Sequence, residues 1–171
     1  MTTVSPRQLA AGRWTADPAR TRAGFAVGNL GWKVVHGSVP VLSGELTVGD
    51  DGRPVRIRAE LDLAGIDTGN ARRDADLRRP KLLDLDAHPT MTFVSDDVRP
   101  DGPDWTAAGV LTLRGTSCPL VLTGTAQPGP TEGGLRVTGS AVLDRTAVGI
   151  RAPRLVIGRQ VTITVEAELT A

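Results

Sequence analysis

A chain of 171 residues carrying a net charge of +1 is long enough for one domain with a full core, and its charge balance argues against a surface built for polyanions. Tyr is absent and Phe occurs only twice, which leaves few platforms for stacking nucleic-acid bases. The single cysteine, Cys118, rules out an internal disulfide, and no apolar run is long enough to span a bilayer.

Residues 1–13 read as a flexible leader and 14–171 as the folded domain. Met1 to Arg13 contains no apolar stretch of signal-peptide length, which leads to the expectation of a soluble, cytoplasmic protein. Trp14 to Asp17 reads as a first short strand. From Arg20 to Val27 the chain alternates, with Thr21, Ala23, Phe25 and Val27 on one face. Lys33 to Val48 is extended and is interrupted by Gly37, Pro40 and Gly44, which in strands mark bulges or bends. Asp50-Asp51-Gly52 is a hairpin signal. Beyond it Val55, Ile57, Ala59, Leu61 and Leu63 share a face opposite Arg56, Arg58, Glu60 and Asp62.

The period-two pattern then breaks. Ile66 to Pro80 is charged and polar, and opens with Asp-Thr-Gly-Asn, whose side-chain oxygens accept from free backbone N–H groups at a helix start. Asp67 is read as such an acceptor, and Pro80 closes the helix by pushing its predecessor out of the helical region. Strands resume from Thr90 to Val98 and from Trp105 to Arg114, with a turn at Pro100 to Pro103. Ser117-Cys118-Pro119 reads as a break before Leu120 to Ala126. After a Pro- and Gly-rich turn, Leu135 to Leu143 alternates again, and Val161 to Thr170 is the most regular strand. The chain is therefore all-β, with about eight strands in hairpin order and one short helical insert placed like a lid. A sandwich and a closed barrel both fit that count, and a barrel of this size either fills itself with side chains or holds one small ligand.

Little here carries reaction chemistry. His36 and His88 stand far apart, so no metal-ligand spacing is present, and no phosphate loop or dinucleotide fingerprint occurs. A nucleophilic Cys118 would need a histidine base beside it in space, which the sequence does not show, and the residue reads as an inert thiol. Among the carboxylates, Asp84 and Asp86 suit a turn, and Asp144-Arg145 suits an ion pair at a barrel end. Arg72, Arg73, Arg78, Arg79 and Lys81 against Asp74 and Asp76 read either as a solvated helix face or as a rim facing an anion.

These residues resemble the YceI-like family of polyisoprenoid-binding, lipocalin-like bacterial proteins over roughly residues 14–170. The insert carries the closest likeness, through Ile66, Asp67, Thr68, Gly69, Arg73, Asp74, Leu77, Arg78, Asp84, Pro89, Thr92, Phe93 and Ser95. Trp14, Asp17, Phe25, Gly37, the run Gly109, Leu111, Arg114, Gly115 and Pro119, and the late Asp144, Arg145 and Gly149 add to it. The chain departs from the family pattern where Arg20, Asn29 and Asp76 replace histidines, Leu82 and Leu83 replace paired phenylalanines, His88 replaces a tyrosine, and Ala147 and Val148 replace an acid and an aromatic.

The resemblance implies an extended antiparallel lipocalin-like β-barrel of about eight strands, enclosing a long apolar small molecule such as a polyisoprenoid or isoprenoid quinone. It implies no catalytic residue, no metal, no cofactor beyond a bound isoprenoid lipid, and no nucleic-acid partner, and it leaves a homodimer open. Wall candidates on this reading are Phe25, Val27, Trp32, Leu63, Ile66, Leu82, Leu83, Phe93, Val148 and Ile150, each equally suited to plain core packing. Arg72, Arg73, Arg78 and Arg79 are candidates to meet a phosphate head group. Two other readings stay open: an enzyme acting on an enclosed hydrophobic substrate through an Asp, and a filled barrel serving as an interaction module.

Overall fold

Alternation of apolar and polar residues gives each strand one face to bury, and antiparallel strands bury it together by closing on themselves. The computed structural model describes residues 9–29, 33–150 and 157–171. Its strands are β1 (Gly12–Ala16), β2 (Arg22–Asn29), β3 (Lys33–Val39), β4 (Val41–Val48), β5 (Pro54–Asp62), β6 (Thr90–Asp101), β7 (Asp104–Leu113), β8 (Thr116–Pro128), β9 (Leu135–Asp144) and β10 (Ile157–Thr170). One α-helix, α1 (Ala71–Leu77), lies in the connection between β5 and β6.

These ten segments make eight long strands. β1 and β2 continue one another through a 3-10 turn at Pro18–Arg20, and β3 and β4 continue through Pro40. β1 pairs with β4, and β2 with β3, so the first two long strands form one bent hairpin. β4 through β10 then pair in sequence, and β10 closes the ring against both β1 and β2. The result is a closed eight-stranded antiparallel barrel.

Chain direction sorts the connections into two ends. The β4–β5, β6–β7 and β8–β9 turns lie at one end. The insert, the β7–β8 turn and the β9–β10 connection lie at the other. At this second end Arg114 and Gly115 both take positive φ, at +56° and +69°, which is the two-residue turn that matches strand twist. The strand that follows begins at Thr116, so Ser117-Cys118-Pro119 lies inside β8 rather than breaking it. Proline is accommodated there because β8 pairs with β9 only from Thr123 onward, so that among the described residues Pro119 pairs with β7 alone.

The insert closes its end of the barrel. Asn70, not Asp67, caps α1, accepting from the Arg73 amide at 3.0 Å, while Asp67 accepts from the Gly69 amide and bridges to Ser38 of β3. Helix bonding ends at Leu77, before Pro80, and a run of turns leads to Asp84. Asp84 takes φ +51°, a left-handed conformation that Asp tolerates better than most residues, and both its neighbours, Leu83 and Leu85, are buried. They pack with Leu63, Leu113, Cys118 and Val148 in one cluster. Arg114 clasps this end, donating to the carbonyls of Gly149 at 3.1 Å and Pro80 at 2.6 Å. Arg145 is 3% exposed and donates to the carbonyls of Gly158 and Ile150, both at 2.9 Å, while Asp144 pairs with Arg159.

Burial pushes the Cys118 thiol up from its ordinary pKa, which disfavours the nucleophilic thiolate. Native protein at neutral pH is therefore expected to react with a maleimide at least about tenfold more slowly than protein in denaturant. Equal rates in the two states would mean that the closed end opens readily.

Candidate functional site

The turn end of the barrel is not filled in this way. A cavity of about 1180 Å³ runs from the β4–β5, β6–β7 and β8–β9 turns along the barrel as far as Leu61, Met91 and Leu111, near the insert end. That is at or above the upper end of ordinary ligand pockets, roughly 300–1,000 Å³.

The wall comes from the inward positions of alternating strands. Ile57, Ala59 and Leu61 line it from β5, and Ile163, Val165 and Ala167 from β10. Phe93 and Trp105, on β6 and β7, are the aromatic elements of the wall, 4% and 9% exposed. The Phe93 ring lies across Gly109 of the neighbouring strand β7, and the Trp105 ring reaches past β8 to Gly139 of β9. A side chain at Gly109 would run into the Phe93 ring and the Val94 carbonyl, and one at Gly139 into the Trp105 indole. Trp105 is further held by its Nε1–H, which donates to the Thr125 carbonyl at 3.2 Å.

A β-bulge sets the position of Phe93. Pairing of β6 with β7 shifts between Val94 and Asp97. Ser95, 1% exposed, fixes the bulge by donating to the Ala108 carbonyl at 2.7 Å and accepting from the Asp97 amide at 3.2 Å. At the rim, Leu9 bonds through its amide to the Gly52 carbonyl, and Arg53, Asp51, Asp104 and Gln127 line the cavity. Val55 remains 45% exposed there.

The wall candidates read from the sequence divide between the cavity wall and the packed core. Phe93 lines the cavity. Leu63, Leu83 and Val148 are buried in the main core without lining the cavity, and Phe25, Ile66 and Ile150 pack against the same core, which also holds Phe93. Val27 and Leu82 are half-buried, and Trp32 lies outside the described residues. The four insert arginines are separated from the rim by the length of the barrel, because β5 runs from Pro54 at the rim to Asp62 at the insert.

Three of those arginines serve local structure. Arg73 donates to the Thr68 hydroxyl and carbonyl, both at 2.9 Å, while Asp74 accepts from the Thr68 amide and hydroxyl. Arg78 reaches the Ala64 carbonyl and Asp86, and Arg79 pairs with Asp76 at 3.2 Å. Arg72 is exposed on the helix. Among the described residues no three His, Cys, Asp or Glu side chains are grouped closely enough to hold a metal ion, and no helix is long and apolar enough to cross a membrane.

The barrel and its insert have counterparts in known proteins. Burkholderia cenocepacia BcnA superposes with a TM-score of 0.78 at 16% identity, over 90% of this chain and 98% of that one. A polyisoprenoid binding domain from Saccharophagus degradans superposes with a TM-score of 0.70 at 16% identity, over 92% and 98%. In sequence, Escherichia coli Protein YceI is 31% identical over 100 residues, 57% of this chain and 52% of that protein. The chain thus spans about half the length of the curated relatives it matches. The family model described as a YceI-like domain matches residues 14–169, from the first barrel strand to the last. Trp14, at the start of that match, buries its ring beside Leu169, at its end, where β1 closes the barrel on β10. The chain belongs to the YceI-like domain family.

Proposed function

We propose that this protein binds a long apolar lipid, a polyisoprenoid or an isoprenoid quinone, inside the barrel and holds or carries it without transforming it. The observation that carries this reading is the cavity itself, deep, apolar along its wall, and closed at the insert end. Each buried methylene contributes about 0.8 kcal/mol. A tail burying about ten of them contributes about 8 kcal/mol before the cost of association, so polar contacts are not needed for affinity. The structural relative described as a polyisoprenoid binding domain supports the same ligand class. The size of the cavity favours binding over the filled-barrel reading. The acids that line it, Glu45, Asp51 and Asp104, lie on outward positions or at the rim, which favours holding a ligand over transforming one.

Gentle purification followed by solvent extraction and mass spectrometry tests the reading. The expected result is a prenyl lipid in near-stoichiometric amount, or stoichiometric uptake of a prenyl lipid added to delipidated protein. A folded protein that neither retains nor takes up such a lipid overturns it.

A further inference from the structure

We infer that the cavity takes isoprenoids whose head group is uncharged, an alcohol, ketone or quinone, and discriminates against the corresponding diphosphates. The inference rests on the reading of the cavity as a prenyl-lipid site and deepens it. With the insert end closed by Leu83, Leu85 and Val148, a tail enters first and its head remains among the turns of the other end.

Those turns carry the wrong sign for an anion. Among the described residues, Asp50, Asp51 and Glu132 stand in the three turns, and Asp101 and Asp104 at the strand ends flanking one of them, against Arg53 in the turns. The neighbouring cations do not redress this. Arg99 also lines the cavity, but it is held by Asp97 at 2.9 Å and 3.3 Å; Arg136 is paired with Glu166, and Arg13 pairs with Glu45 at 3.9 Å. Arg58 borders the cavity from β5 but lies at an exposed, outward position. The insert arginines that would suit a phosphate are behind the packed end. A diphosphate placed at the rim therefore meets net like charge and leaves part of its hydration. An uncharged head meets neither cost.

The experiment compares two probes with the same twenty-carbon tail, geranylgeraniol and geranylgeranyl diphosphate, by tryptophan fluorescence and calorimetry on the full chain. The expected result at low salt is at least about tenfold tighter binding of the alcohol, with the gap narrowing as salt screens the rim. A variant combining Asp50→Asn, Asp101→Asn and Asp104→Asn is expected to close most of that gap by improving diphosphate binding. Retained alcohol binding in the variant shows that it is folded. Equal or tighter binding of the diphosphate by the native chain overturns the inference and leaves the prenyl-lipid reading standing. Binding of neither probe overturns both.

Discussion

Replacing Ala59 and Ala167 together by tryptophan is expected to weaken binding of a twenty-carbon prenyl alcohol by at least about a hundredfold. Both alanines line the cavity and are half-buried. Ala59 stands on β5 between Gly44 of β4 and Phe93 of β6, and Ala167 stands on β10 beside Val137 of β9. Two indoles at these positions occupy space that a prenyl tail would otherwise fill. Displacing roughly four methylenes removes about 3 kcal/mol, which is more than a hundredfold in affinity. The measurement is a titration of native and variant protein, with thermal unfolding beside it. Overpacking a filled core costs about 1–3 kcal/mol per site, whereas a ring entering open space costs little, so the melting temperature is expected to move by only a few degrees. A variant that unfolds much earlier and never bound lipid would point to a filled barrel. Unchanged affinity in a folded variant would place the lipid elsewhere.

The barrel was legible because its signal is local. Ile57, Ala59 and Leu61, or Val161 through Leu169, announce an inward face by alternation alone, and the structure puts those faces inside. The β4–β5 hairpin was equally plain from Asp50-Asp51-Gly52, where Gly52 takes φ +78°. The extent of β8 was not, since Pro119 looks like a break, and only the fold shows that among the described residues no strand pairs with its far edge.

The hollow end could not be read from the sequence for a different reason. Inward alternation is the same along the whole length of a strand, so it does not distinguish the level where the barrel is empty from the level where it is packed. That difference depends on Leu83, Leu85 and Val148, which reach the core from connections rather than from strands. The charged insert stands out in the sequence and drew attention to its own end. Its arginines are explained by a local network around Thr68 and by surface pairs, a context visible only once the turns are folded. Trp105 and Leu122 could have been found by extending each alternating face from β6 to β8 and asking which end of the barrel each residue occupies.

Leu85→Ala is expected to lower stability by about 2–5 kcal/mol, the range for deleting a buried leucine side chain where neighbours relax only in part. Leu85 is 1% exposed, in a connection rather than in a strand. Its amide donates to the Arg78 carbonyl and that of Leu83 to the Leu77 carbonyl, so the backbone carrying both leucines is tied to the end of α1. Truncation at this point should therefore leave a void, because the tied backbone cannot follow the lost side chain inward. For a domain of this size the loss corresponds to a fall in melting temperature of about 5–15 °C, read by calorimetry or circular dichroism. Affinity for a prenyl alcohol is expected to stay within about threefold, since Leu85 is not among the residues that line the cavity. Saturating lipid should recover part of the lost stability through mass action, as any ligand of the native state does. A melting temperature that does not move would show that the insert is not part of the cooperative core. A sharp loss of lipid affinity at unchanged stability would show that the chain of the ligand reaches Leu85 and that the insert end belongs to the binding site.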